Sequence, residues 1–214
     1  MDVTWLGHGC FRLRGKTASV VTDPFPPSLG LRLPKLEAEL VTVSHQHDNH
    51  AYTDAVQKSG YTIEGPGEYE VAGVSVVGLP TYHDSNAGAE RGPNTVYVIE
   101  IDDVRVCHLG DLGHRLGDQE AESIGAVDLL LVPVGGHDTI SAATAAEVVR
   151  QLEPRVVVPM HFALPGLKVA LDPVDTFLKE MGGADETESQ PKLSLQASAS
   201  AEGETRVVLL EARA

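Results

Sequence analysis

Four apolar segments of this chain each run into a histidine or an aspartate. Leu40 to Ser44 delivers His45, Val74 to Leu79 precedes His83, Val104 to Leu109 leads to Asp111, and Val156 to Pro159 leads to His161. Open α/β sheets carry their sites at the carboxyl ends of strands, so these four positions converge if their strands lie side by side. A single histidine after a strand is most often a hydrogen-bonded loop residue; four such positions in one chain form a pattern. The first is also the densest, because Ser44-His45-Gln46-His47-Asp48-Asn49-His50 places three histidines within six residues. Residues two apart in extended chain point the same way, so His45 and His47 share a side, and His50 comes round on the following turn. Three imidazole or carboxylate ligands with a fourth position left for water is what a catalytic tetrahedral cation needs.

The segments between these positions read as a strand-rich first half followed by strands alternating with helices. Strands are expected at Asp2–Leu6, Phe11–Leu13, Thr17–Thr22, Leu40–Ser44, Tyr61–Ile63, Tyr69–Val71 and Val74–Leu79. A short helix over Thr53–Lys58 and a loop over Asp84–Pro93 complete this half. Thr95–Ile101 and Val104–Leu109 flank Asp102-Asp103, a hairpin turn. Val127–Val134 is almost continuously apolar, which implies cover on both faces. Helices are expected near Gln119–Ile124, over Ser141–Leu152, and from Asp172 as cap with Pro173 at the first helical position, ending at Gly182-Gly183. Ala184–Pro191 is polar and loose, and strands at Lys192–Gln196 and Thr205–Glu211 are divided by Ala197–Gly203. No linker or repeat divides the 214 residues, so a single domain, 1–214, of layered α/β type is expected.

Charge narrows the partners. Sixteen basic against thirty-one acidic residues leave a formal charge of −15, a field that repels a phosphate backbone or an anionic membrane. General nucleic-acid binding is therefore not expected, nor a membrane location, since no apolar run reaches ~18 residues. Two cysteines, Cys10 and Cys107, make neither a disulfide scaffold nor a four-thiolate site. With no signal peptide at Met1-Asp2-Val3-Thr4-Trp5, the expectation is a cytoplasmic protein acting on a small molecule, with homo-oligomers left open.

Taken together, the motifs Thr4-Trp5-Leu6-Gly7-His8-Gly9-Cys10-Phe11, Thr22-Asp23-Pro24-Phe25, the histidine cluster, Gly65-Pro66-Gly67-Glu68-Tyr69, His108-Leu109-Gly110-Asp111-Leu112-Gly113-His114, Pro133-Val134-Gly135-Gly136 and Pro159-Met160-His161 span nearly the whole chain. In these the sequence resembles the metallo-β-lactamase superfamily of binuclear hydrolases, closest to its small branch around the L-ascorbate-6-phosphate lactonase. The resemblance implies a four-layer αβ/βα sandwich with two mixed sheets and a site at the edge where they meet. It assigns His45, His47 and His83 to a first metal, His50 and His161 to a second, and Asp111 to the bridge between them.

One position departs from the family's His-x-His-x-Asp-His motif. Residue 49 is asparagine, a neutral carbonyl donor where the family has a metal-binding carboxylate that also orients the attacking water. Asp48 sits one residue early, and neighbours in extended chain point apart. Three states stay open: two metals with a weakened second, one metal on the first set, or a slow or inactive relative. The function that follows is a metal-dependent hydrolase relying on a metal-bound hydroxide and acting on a small, anionic or neutral ester, phosphoester or lactone, with its rate deficit largest for poor leaving groups. The alternative is a metal-binding or ligand-sensing protein with a degraded site. Asp111, Asn49 and His161 are the catalytic candidates, Asn49 also counting among the metal positions. One or two Zn2+ ions are the expected cofactor, with Mn2+, Fe2+, Co2+ or Ni2+ as alternatives.

Four further residues are candidates for touching substrate or supporting a ligand. His8 lies in the first turn, Asp23 follows a strand and can fix the tautomer of a ligand histidine, His114 comes three residues after Asp111, and His137 follows Gly135-Gly136. Each also has a plain structural reading as a turn or capping residue.

Overall fold

The computed structural model describes residues 1–183, 189–197 and 204–214. Two mixed β-sheets form its centre. The first has six strands in the order Leu193–Ser194, Asp2–Gly7, Cys10–Arg14, Ser19–Thr22, Leu40–Val43 and Tyr61–Glu64. Its early strands pair antiparallel, and the last three run parallel. The second has seven strands in the order Arg206–Val207, Val156–Met160, Leu129–Pro133, Val104–His108, Pro93–Ile101, Val74–Tyr82 and Gly67–Val71. Here Val104–His108, Leu129–Pro133 and Val156–Met160 are parallel neighbours, and the long hairpins on the other side are antiparallel.

The alternation of side chains along each strand builds the layers. Val20 and Leu40 face the large core that joins both sheets, with Val3, Trp5, Phe11 and Leu13. Val21, Val41 and Val43 face the opposite way into a second, smaller core with Phe25, Leu29 and Leu36. The cover over that outer face is largely irregular chain carrying one 3-10 turn, Pro27–Leu29, as the run of prolines dictates. On the second sheet the cover is helical. Ala142–Leu152 is capped by Ser141, whose hydroxyl accepts from the Thr144 amide at 3.2 Å, and it buries Ala145, Ala146, Val148, Val149 and Leu152. The architecture is thus the two-sheet, helix-flanked sandwich that the resemblance implies.

Three local expectations fail, each for a tertiary reason. Thr53–Lys58 is not a helix: a single 3-10 turn covers Thr53–Ala55, and Val56–Gln57 then pairs parallel with Leu36–Glu37, because Val56 is buried in the smaller core. The last helix spans Asp175–Glu180 and has no side-chain cap. Asp172 is committed elsewhere, its amide donating to the Gly135 carbonyl and its carbonyl accepting from Ala163. Thr205–Glu211 is split at the buried Val208, so that Arg206–Val207 joins the second sheet while Leu209–Leu210 pairs with Ser189–Gln190. Most of the expected loose stretch Ala184–Pro191 and of the divider Ala197–Gly203 lies outside the described residues.

Tyr97 ties the two sheets beside the histidine-bearing strand. It is fully buried in the second sheet, and its hydroxyl donates to the Val43 carbonyl (2.9 Å) and accepts from the Gly65 amide (2.8 Å) on the first. Both backbone groups lose a partner in Tyr97→Phe, which is expected to cost about 1–3 kcal/mol in urea unfolding. A loss under about 0.5 kcal/mol, the low end for a net hydrogen bond, would show that these contacts do not register the sheets.

Candidate metal centre

The strand ends do converge. His45 follows Leu40–Val43 after a single residue, Ser44. The chain then turns on itself, with the His50 and Ala51 amides both donating to the His47 carbonyl, at 2.9 and 3.1 Å. That single turn returns His50 to the buried side occupied by His45, while His47 stays exposed. His83, Asp111 and His161 arrive from three strands of the second sheet, all buried. Close approach of their loops depends on small residues. A Cβ at Gly113 would collide with the His83 backbone, and one at Gly135 would collide with the His161 carbonyl.

Asp111 sits at the middle of the histidines. Its Oδ2 lies 3.2 Å from His50 Nε2, 3.3 Å from His83 Nε2, 3.3 Å from His161 Nε2 and 3.7 Å from His45 Nε2. Ring nitrogens of His45, His47 and His83 lie within 4.8 Å of one another, and so do those of His8, His50 and His161. A third grouping of the same kind joins Asp23, His45 and His50. The first set contains the three residues that the resemblance gives to one metal. The second contains the two given to the other, with His8 where residue 49 was expected.

A buried hydrogen-bond relay fixes the tautomers. His50 Nδ1 donates to Asp23 Oδ2 at 3.0 Å. Ser44 Oγ donates to the same oxygen at 2.6 Å, and the Ser44 amide donates to Oδ1 at 2.8 Å. With its proton committed to Asp23, the Ser44 hydroxyl accepts from His45 Nδ1 at 2.9 Å. His83 Nδ1 donates to the Asp138 carbonyl at 3.0 Å. Each arrangement commits Nδ1 to its partner and aims Nε2 toward Asp111, which is how a supporting partner orients a ligand histidine. Asn94 plays the matching part for the carboxylate. Its Oδ1 accepts from the Asp111 amide (3.0 Å), while its Nδ2 donates to Thr81 Oγ1 and the Leu109 carbonyl.

Sequence reasoning missed Ser44 and Asn94. Ser44 gave one signal, a hydroxyl between an apolar strand and a histidine. Asn94 gave none, because a single asparagine at the start of an apolar strand carries no mark of the carboxylate it supports.

Electrostatics agree with a cation-binding set. Burial pushes His45 down to about 3 and holds it neutral. Burial also opposes charge on His50, but the Asp111 and Asp23 carboxylates outweigh it and raise the group to about 10. Burial would raise Asp111, yet His161 and His50 hold it well below the usual carboxylate range. The carboxylates thus favour positive charge at His50, where a cation's charge would be equally favoured. Buried His45 Nε2 and Asp111 Oδ1 have no hydrogen-bond partner, a state costing about 1–3 kcal/mol for each such atom. Nitrogen lone pairs and a carboxylate oxygen left facing one another fit a divalent ion.

The remaining candidates divide. His8 is fully buried within the cluster, its ring 4.2 Å from that of His161 and 4.4 Å from that of His50. The side-chain amide nitrogen of Asn49 lies 3.0 Å from His8 Nε2. Asp48 is exposed and belongs to no ligand set among the described residues. The structure does not bring His114 or His137 into a set. His114 accepts from the Tyr82 amide and donates to the Arg115 carbonyl, pinning the loop under His83. His137 is half exposed and lies 3.5 Å from the Asp172 carboxylate.

Comparison with known proteins agrees with this geometry. A family profile described as beta-lactamase superfamily domain matches residues 2–161. A UPF0173 metal-dependent hydrolase of Thermococcus onnurineus is 34% identical over 192 residues, covering 76% of this chain and 84% of the relative. A UPF0173 protein of Pyrococcus furiosus is 31% identical over 199 residues, 85% of this chain and 90% of the relative. Among solved structures, a Thermotoga maritima protein assigned to the Zn-dependent hydrolases of the metallo-β-lactamase superfamily superposes with a TM-score of 0.78 at 39% identity, covering 98% of this chain and 99% of that one. With the strand-end histidines gathered around Asp111, these likenesses show that the chain belongs to the metallo-β-lactamase superfamily, among its UPF0173-type metal-dependent hydrolases.

Proposed function

We propose that this protein hydrolyses a small ester or lactone at a two-cation site, the first ion held by His45, His47 and His83 and the second by His50 and His161, with Asp111 between them. The observation carrying this reading is the single carboxylate oxygen ringed by four imidazole nitrogens, with buried lone pairs unpartnered. Divalent cations bound there supply Lewis acidity, polarising a carbonyl and lowering the pKa of coordinated water to about 7. The protein's own part is positional. Asp23, through His50 and Ser44, holds Nδ1 of both His50 and His45 as the bonded nitrogen, so that Nε2 is the one turned to a cation. Asn49, whose amide nitrogen stands 3.0 Å from His8 Nε2, cannot take up a proton as a carboxylate would. Asp111 is then the anionic group that faces both histidine sets.

The substrate class follows from the adjoining groove. A cavity of 250 Å³ is bounded by His45, His47, Pro66, Pro80, Arg91 and Thr95, among others. This is below the ~300–1,000 Å³ of pockets for drug-sized ligands, so the reacting portion is small. Its walls are mainly apolar, and its one guanidinium, that of Arg91, already pairs with Asp138 and Glu90, which favours a neutral ester or lactone over a phosphoester. A larger depression of 720 Å³ lies between Glu100, Arg105, Glu122, Asp128 and Arg155. No ligand histidine lines it, and Arg155 and Arg105 already pair with Asp128 and Glu100, so it is not the reaction site. Among the described residues no helix is long and apolar enough to cross a membrane.

Stripping the protein with a chelator should abolish turnover across a panel of aryl esters, lactones and phosphodiesters, and Zn2+ or Mn2+ should restore it for at least one class. Full cation occupancy with no turnover on any would instead favour a ligand-binding protein that keeps the fold. The relay makes a separate prediction. Asp23→Ala leaves every proposed ligand in place but frees the His50 tautomer, and it should weaken cation binding about 10–100-fold in competition with a chromophoric chelator. Unchanged affinity would remove Asp23 from the site.

A further inference from the structure

Residue 49 cannot serve the second cation as a carboxylate would, because its nitrogen has no lone pair to give and its carbonyl oxygen is neutral. A substitute lies beside it. His8 stands in the turn between the strands Asp2–Gly7 and Cys10–Arg14, where the register slips between Trp5 and Gly7 and the backbone of His8 is left-handed, with φ 53°. That conformation is uncommon for a residue with a side chain and marks a position held by its surroundings.

The surroundings are specific. The His8 carbonyl accepts from Trp5 Nε1 at 3.0 Å and from the amide of His161 at 3.2 Å. The turn is therefore bonded to the backbone of a ligand-type histidine delivered by the other sheet. The His8 ring is fully buried, and it lies against the rings of His50 and His161. One of its nitrogens shares with theirs the same mutual spacing that His45, His47 and His83 show. Its Nδ1 is buried without a hydrogen-bond partner. An unpartnered nitrogen on a buried ring, facing two ligand-type histidines, is a position that a bound cation would satisfy. The turn also makes room for its neighbour: a Cβ at Gly9, next in the chain, would stand 3.1 Å from the His50 ring.

We propose that His8, through Nδ1, is the third protein nitrogen of the second cation site, with His50 and His161, and that Asn49, its amide turned so that Oδ1 accepts from His8 Nε2, holds the His8 ring rather than the cation. This rests on the reading that the cluster binds divalent cations. It turns the departure at residue 49 from the loss of a ligand into an exchange of ligands between two loops. The second site becomes an all-imidazole set beside the shared Asp111, which suits Zn2+, Co2+ or Ni2+ better than Mn2+.

The test counts metal rather than activity. The stripped chain is reloaded with excess Zn2+, freed of unbound ion and assayed by elemental analysis, alongside His8→Ala and Asn49→Ala, with circular dichroism to verify folding. About two ions per chain are expected for the parent and Asn49→Ala, and about one for His8→Ala. Should His8→Ala fail to fold, His8→Cys loaded with Co2+ provides the second readout. A thiolate bound to the ion gives a near-ultraviolet charge-transfer band that the Co2+-loaded parent, with Cys10 and Cys107 outside the ligand sets, does not show. Two ions retained in His8→Ala, only one in the parent, or no charge-transfer band in His8→Cys overturns the assignment of His8. A parent chain that binds no ion at all overturns the two-cation reading itself, an outcome distinct from the others.

Discussion

The structure depends on a buried carboxylate placed among buried imidazoles. Asp111 carries its charge where burial alone would neutralise it, because His161 and His50 stand against it. Four Nε2 atoms surround one oxygen, and each of three of these rings has its other nitrogen tied or excluded from solvent. Such a cluster is costly to assemble, since every member gives up water. A protein core of ordinary design would replace it by apolar side chains. Its retention at the centre of the molecule is an argument for ions that complete it.

The two sheets exist, in this light, to present strand ends to one another. The first contributes His45, His47 and His50 from the end of one parallel strand, together with Asp23 from the end of its neighbour. The second contributes His83, Asp111 and His161. Contact between the sets is made by short bonds across the seam: Tyr97 to Val43 and Gly65, the His161 amide to His8, and the Thr95 amide to the Ser44 carbonyl. The large apolar core beneath holds the sheets together without direction. These few directional bonds set the offset at which the ligand atoms meet.

Asp23 shows how one residue can couple two sets of histidines. Through Oδ2 it fixes His50 directly and His45 by way of Ser44, so a single carboxylate orients one ligand from each proposed set. His83 takes its orientation from a backbone carbonyl instead. A backbone partner has no charge of its own to add to the ligand, so the two sides of the centre are tuned differently although both are built from imidazole.

The strand ends, their histidines and Asp111 were legible in the chain alone, because an apolar run that stops at a ligand-type residue carries its own meaning at short range. The helix Ala142–Leu152 was legible for the same reason: cap, periodicity and terminator are all local. Where local signals competed with packing, packing prevailed. Val56 left its expected helix for the smaller core, and Asp172 left its expected cap to bond Gly135. Nothing within the sequence neighbourhood of His8 tells of His161, since they meet across two sheets and more than a hundred residues, while Asn94 reaches Asp111 from the neighbouring strand of its own sheet. The sequence determined which chemistry the strand ends could offer, through residue type and period. Only the tertiary structure decided which side chains share a site, because that choice rests on long-range backbone bonds and on glycines, such as Gly113 and Gly135, that let loops touch.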